Sequence, residues 1–508
     1  MLKYTGHPII DVGAATIAAF ANKRRLEDVA EADLQPIADY ICERYVVNPL
    51  KSFLNVAYLN SGYTQPAFEK QPHKRIEYAK RVTSGRKLDQ PTSNEICVFT
   101  GLPAIGIALN DKDGFPIGRA FRQHIPMVTG EDVINFHPGG DAGVPVSGLA
   151  MLCIQAFPLG CAKCGGKLLA VHSDNPVLTL RFARKFLQNN LKQVDLAIAA
   201  GSSKLPEAGS AKTTLITTFI EIEQDRIDQR EDGRPCSVTA YHMSNSGQSN
   251  PLDRNPPLEI YHLPLELIVF LSMVQQPMYK TAWNAISQRG WQTSKPKKQK
   301  KGETAAIAAL TTSEEDGPKR NYLYEDLFRL PQDAALFIRR YFLRMPVRNA
   351  AEDDPRRGYS LKRDAELVSW TLTQLFLEKV MRMNPNRITQ IKTLADGLAQ
   401  YIHDENDEPF FRNFYTAQKY GYGYLRNLLI RLDFNRLKKN QPPLNKFEPF
   451  LEVFGETDSQ GWTQWKLAHD LVLIRMIERL FELRWIQEHP EALPDDLPEM
   501  SEEQKKAD

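Results

Sequence analysis

Apolar positions along this chain change their spacing several times, and each change predicts a different element. From Ile9 to Phe20 they run almost unbroken (IIDVGAATIAAF), the signature of a buried helix, and from Leu26 to Tyr45 they recur at helical intervals among acidic residues. LKSFLNVAYLNSGYTQPAFEK predicts a strand or short helix entering a turn, and Lys70 to Lys87 predicts a helix with basic residues spread around it. ICVFTGLPAIGIALN and GRAFRQHIPMVTGEDVINF then read as short strands joined by Gly-containing turns. Gly148 to Leu159 is a second buried helix, LLAVHS a strand, and Pro176 to Ala199 a basic amphipathic helix. The β-branched run at 213–222 (TTLITTFIEI) and the segment Pro235 to Met243 both predict strands.

Past residue 320 the texture becomes uniformly helical. Apolar residues at helical spacing run through Tyr322 to Leu343, Lys362 to Met383, Arg387 to His403, Arg412 to Lys438 and Thr463 to Ile486, with short Pro- or Gly-bearing connections such as NPNR and NQPP. That pattern predicts an antiparallel helical bundle. The expected fold class is therefore α+β: an irregular N-terminal region over 1–320 with short strands, and a bundle over 321–487. Lys/Gln-rich residues near 292–318 read as a flexible basic insertion, and 488–508 as an acidic tail.

A chain of 508 residues is long enough for two or three domains. No apolar run approaches the ~18 residues that a membrane span needs, and the first residues lack a charged leader before their apolar stretch, so a cytoplasmic protein with no membrane partner is expected. The formal net charge is only +2, but the last twenty residues are strongly acidic, which makes the remainder correspondingly basic and points to phosphate-bearing partners.

Six cysteines are too few for a disulfide scaffold. Cys161-Ala-Lys-Cys164-Gly-Gly has the form of half a zinc ribbon, two thiolates on a tight turn, and Cys97 can supply a third ligand with His124, His137, His172 or Cys153 as a fourth. A second cysteine expected three residues after Cys97 is replaced by Thr100. A structural zinc is thus a candidate cofactor, and a reduced thiol pair at a strand turn is the alternative. Gly209 to Thr213 lacks the spacing of a phosphate-binding loop, which rejects an NTPase. His137, Asp141, His172 and Asp174 can be combined into a metal-dependent nuclease or hydrolase, although no H-E-x-x-H motif or local carboxylate cluster accompanies them.

The candidate nucleic-acid residues are spread along the chain. Arg119 and Arg122, three apart, and Arg181 and Lys185, on one face of the basic helix, are candidates for phosphate contacts. The polar loop SNSGQSNPLDRNPP offers Asn245, Gln248 and Asn250 to base edges, and the turn NFHPGGD at 135–141 offers backbone N–H groups. In the bundle, Arg426 and Arg431 lie close to Tyr420, Tyr422 and Tyr424, a combination suited to a single strand.

YTGHPIIDVGAATIAAFA, CVFTGLPA, NFHPGGDAGVPVSG and IQAFPLGCAKCGGKLLAVHSDNP together resemble the large subunit of type I CRISPR surveillance complexes (Cascade), in the I-B-like branch of DevT-type proteins. The resemblance covers roughly residues 4 to 190; the region after 320 agrees in texture only. It implies a non-catalytic subunit that contacts CRISPR RNA, recognises the protospacer-adjacent motif in duplex DNA and stabilises the R-loop and its displaced strand. It further implies contact with the backbone, handle-binding and small subunits, and docking of a helicase-nuclease or of transposition factors.

Overall fold

The structure, a computed structural model, describes residues 2–87, 89–111, 114–127, 142–231, 233–245, 256–293, 320–455 and 464–493. It is α+β: small antiparallel sheets and helices come first, and helices alone follow. The chain divides into two compact units between Ile268 and Val269, inside the helix Leu265–Met273. Helix Pro277–Gln288 therefore groups with the later helices, and the break falls earlier than the residue 320 read from texture. Among the described residues no helix is long and apolar enough to cross a membrane.

The first unit is organised around helix α1, Pro8–Phe20, buried on all sides from Ile9 to Ala18. Its small residues permit that burial. A Cβ on Gly13 would stand 2.0 Å from the Cys153 carbonyl oxygen, and one on Gly160 would stand 1.9 Å from the Thr16 hydroxyl, so close helix contact requires glycine at both. Helices α2 (Leu34–Arg44), α3 (Leu50–Leu54) and α4 (Pro72–Val82) follow, then α5 (Gly148–Ala156), α6 (Pro176–Ala199) and α7 (Ala211–Asp228). α1 packs against both α5 and α6.

α5 is capped by tyrosines contributed from far away in sequence. The Tyr58 hydroxyl donates to the Ile154 carbonyl at 2.5 Å, Tyr45 to the Gln155 carbonyl at 2.9 Å, and Tyr63 to Gln155 Oε1 at 3.0 Å. The first two go to carbonyls of the helix's last turn, where intrahelical partners run out, and the third holds the Gln155 side chain.

Strands β1 (Thr92–Ile96) with β2 (Pro103–Ile105), and β3 (Arg119–Ala120) with β4 (Val144–Pro145), make two short antiparallel pairs. The main sheet is an antiparallel meander of β5 (Ala162–Cys164), β6 (Lys167–His172), β7 (Val238–Met243) and β8 (Leu258–Leu263), with α6 and α7 inserted between β6 and β7. The expected strand at 213–222 is part of α7 instead. Ser210 caps it, its Oγ accepting the Thr213 N–H at 3.3 Å, and Leu215, Ile216, Phe219 and Ile222 recur at helical spacing on the buried face. Burial at that period overrides β-branched propensity.

His124 is fully buried, and its Nδ1 accepts the Phe121 N–H at 3.2 Å, which requires the neutral ring. Burial lowers its pKa to about 3 from the ordinary 6.5. In this window the unfolded chain binds the proton and the folded chain does not. Stability from this site is thus complete above pH 6.5 and falls as the pH drops toward 3, by up to about 1.4 kcal/mol per pH unit. Denaturant midpoints measured between pH 6.5 and 5.5, before most carboxylates titrate, should fall in the native protein and flatten in His124→Gln; parallel curves would contradict this.

In the second unit the two longest helices, Pro385–Glu405 and Gln464–Glu482, form its most extensive contact. Ile388, Ile391, Ala395, Leu398, Ala399 and Ile402 mark the buried stripe of the first. The expected single helices over 362–383 and 412–438 are each broken. Gly421, at φ 90°, separates Ala417–Tyr420 from Tyr422–Lys438. Val368 and Ser369, both extended, separate a short turn from Trp370–Lys379.

Candidate nucleic-acid interface

Cys161 precedes β5 and Cys164 ends it, and Gly165 and Gly166 after them form the two-residue turn of the β5–β6 hairpin, with φ of 54° and 76°. Positive φ at both positions is what a type I′ turn demands, so the glycines serve the turn. The Cys161 thiol donates to the Phe157 carbonyl at 3.1 Å and Cys164 lies 3.7 Å from the Thr214 hydroxyl. Burial pushes the Cys161 thiol well above its usual range and Cys164 up to about 11. Cys97 lies within electrostatic reach of Cys153, whereas Cys161 and Cys164 act on each other. Among the described residues no group of three His, Cys, Asp or Glu side chains could hold a metal. The described residues thus do not gather Cys97, Cys161 and Cys164 into one ligand set.

The HSDN string at the end of β6 does structural work at several points. His172 Nε2 lies 3.0 Å from Asp11 Oδ2, and Asp11 is wholly buried. Ser173 Oγ donates to the Ser237 carbonyl at 2.8 Å, and Asn175 Oδ1 accepts the Val177 N–H at 3.0 Å, capping α6. Asp174 is exposed, and His137 and Asp141 lie outside the described residues. The hydrolase constellation thus has one described member bound to a core carboxylate and one in solvent. Asp11, which completes the His172 pair, is hidden in sequence by the apolar run around it.

Arg119 is 8% exposed and committed to the fold. Its guanidinium bonds both Glu95 oxygens, at 3.1 and 2.5 Å, and donates to the Ala142 and Gly143 carbonyls at 3.0 and 3.3 Å. A phosphate contact would require breaking that set. Arg122 is half-buried, with no hydrogen bond at Nε, and its carbonyl accepts from Asn245 Nδ2 at 3.0 Å. Asn245 also donates its backbone N–H to Val56 O at 2.7 Å and its side chain to Ala57 O at 3.2 Å, fastening the end of β7 to α3's exit. This side chain positions the loop. Gln248 and Asn250, like the turn 135–141, the insertion from 294 onward and the tail from 494, lie outside the described residues.

Arg181 and Lys185 line one cleft between α6 and α7, where Arg181 pairs with Glu231 and Lys185 with Asp225 at 2.8 Å. Arg24 and Arg184 line it as well. The KRR run directly after the apolar helix was the available signal for Arg24.

In the second unit, helix Tyr422–Lys438 buries Leu425, Leu429 and Leu432 and turns the opposite face to solvent. Arg426 and Arg431 are exposed on it and have no ion-pair partner among the described residues. Tyr420, Ile430, Phe434 and Leu437 are each more than half exposed beside them. Lys438 Nζ sits 4.5 Å from the Phe434 ring centroid, and Tyr420 and Tyr424 have ring centroids 4.9 Å apart. Arg436 and Lys439 are instead engaged, with the Pro442 carbonyl at 2.9 Å and Glu405 at 2.6 Å. Arginines beside exposed aromatic rings can pair with phosphates while bases stack. A scan against protein-family models found no match to this chain, and neither did searches of curated proteins and of solved structures.

Proposed function

We propose that this chain is a non-catalytic, nucleic-acid-binding large subunit of a type I CRISPR RNA-guided DNA surveillance complex. In this role it recognises the protospacer-adjacent motif, supports the R-loop, and receives a helicase-nuclease or transposition factors. The observation that carries the nucleic-acid part is the solvent face of helix Tyr422–Lys438, where Arg426 and Arg431 stand beside exposed Tyr420 and Phe434 without an intramolecular counter-ion among the described residues. Exposed charge of one sign next to exposed rings suits a displaced single strand, which needs sequence-tolerant contacts. The assignment to a CRISPR complex rests on the resemblance of residues 4 to 190.

Complex assembled on CRISPR RNA with and without this subunit, tested by mobility shift on matched duplexes that differ only in the flanking motif, examines the proposal. Motif-dependent binding should vanish when the subunit is omitted. Unchanged binding would remove motif recognition and R-loop support from this chain.

A further inference from the structure

The cleft between α6 and α7 has features that ordinary surface grooves lack. Its volume is about 510 Å³, within the range of small-ligand sites. Five cationic side chains line it against two carboxylates. Arg181, Arg184 and Lys185 come from one face of α6, and the chain leaving α1 adds Arg24 through a specific link, the Arg184 guanidinium donating to the Lys23 carbonyl.

The arginines crowd one another. The Arg184 pKa is lowered by burial first, then by the nearby charges of Arg24 and Arg181. Its Nε is buried and has no hydrogen-bond partner. Arg24 is exposed and makes no ion pair among the described residues. Gathering three guanidiniums is unfavourable unless an anion joins them. The carboxylates present neutralise the group only in part: Glu231 pairs with Arg181, Asp225 and Glu221 with Lys185, and Glu223 with Arg226, which leaves Arg24 and Arg184 without a carboxylate among the described residues. Half-exposed ion pairs such as these contribute about 0–1 kcal/mol, so a ligand can exchange with them. Val177, 47% exposed, gives the cleft an apolar surface, and Gln188 and Gln229 give it neutral hydrogen-bonding groups.

We propose that this cleft is a binding site for a terminal phosphomonoester on a nucleotide-sized group, with Arg24, Arg181 and Arg184 holding the phosphate and the exposed Val177 receiving the base. The dianionic charge of a monoester, about −1.5 to −2 at neutral pH, matches three arginines better than the single charge of an internal diester. The volume suits one nucleotide and excludes a duplex. A free mononucleotide and the phosphorylated end of a strand share this chemistry. The site gives Arg181 and Lys185 a role separate from the face of helix Tyr422–Lys438 and does not depend on that reading.

The test uses full-length protein and titration calorimetry with AMP, adenosine and inorganic phosphate, together with a short single strand bearing either a 5′-phosphate or a 5′-hydroxyl. AMP should bind and adenosine should not, and inorganic phosphate should compete with AMP. Arg24→Gln, which removes an exposed side chain, should weaken AMP about tenfold; Arg426→Ala with Arg431→Ala should leave it unchanged. A preference for the 5′-phosphate strand identifies strand ends as the source, and AMP binding without that preference identifies free nucleotides. Equal affinity for AMP and adenosine, absence of AMP binding, or AMP binding untouched by Arg24→Gln would overturn the proposal.

Discussion

Asp11→Ala is expected to destabilise the first unit by about 3–5 kcal/mol, because it deletes one member of a buried, fully bonded polar set. Asp11 Oδ1 accepts the Thr5 N–H at 2.7 Å and the Thr5 hydroxyl at 2.9 Å, while Oδ2 accepts the Gly6 N–H at 2.9 Å and lies 3.0 Å from His172 Nε2. One carboxylate therefore ties the entering segment, the first turn of α1 and the end of β6 together. Alanine would leave the buried His172 Nε2 without its partner and release the half-buried Thr5 and exposed Gly6 N–H groups that now anchor the entering segment, so most of the cost falls on the His172 side. Asp11→Asn keeps the shape but turns an N–H₂ toward a donor, so its effect should fall between wild type and alanine. Hydrogen exchange reads this by region: amides of α1 and β6 should lose protection while those of helix Pro385–Glu405 do not. A loss below about 1 kcal/mol would show that the polar set does not hold the unit together.

Arg344→Ala should have a comparable effect in the second unit. Its guanidinium is wholly buried, donates to Asp364 Oδ2 from Nε at 3.0 Å and from an Nη at 2.8 Å, and stacks 3.6 Å from the Tyr359 ring centroid. Asp364 is itself buried, and its other cationic neighbour, the exposed Arg289, stands 4.0 Å away, so removing Arg344 takes both close bonds from a buried carboxylate. The expected cost is about 3–5 kcal/mol. Because the penalty comes from the orphaned charge, Arg344→Met combined with Asp364→Asn should recover much of it. A double variant as unstable as the single one would mean that packing on Tyr359, and not the ion pair, sets the cost.

Much of the architecture was legible in the pattern of apolar residues. The buried run at Ile9 to Phe20, the basic helix at Pro176 to Ala199 and the strands at LLAVHS and at 235–243 form where the spacing places them. α7 was misread because its Thr and Ile content favours a strand locally, while Leu215, Ile216, Phe219 and Ile222 obey a helical period that only the packed core enforces. The cysteine turn is legible only as a turn: two glycines after a thiol pair serve a hairpin as well as a metal, and the register Cys164 to Lys167 shows the hairpin. Site residues fared according to their distance in sequence from their partners. Arg119 reads as a free cation until Glu95 is brought beside it, and Asn245 reads as a base-reading side chain until Val56 and Ala57 are. The exposure of Arg426 and Arg431 is legible because one helix carries both, and the Leu425, Leu429, Leu432 stripe assigns the other face to the core.

In the proposed role the face of helix Tyr422–Lys438 touches a nucleic-acid strand. Single-stranded DNA binding by the full chain, measured across a series of salt concentrations and compared with the Arg426→Ala/Arg431→Ala variant, tests it most directly. Each arginine that neutralises a phosphate releases counter-ions, so the variant should bind every sequence more weakly and its log-affinity against log-salt slope should be shallower by about one to two units. Identical slopes for the two proteins would contradict the claim and take this face out of the nucleic-acid path.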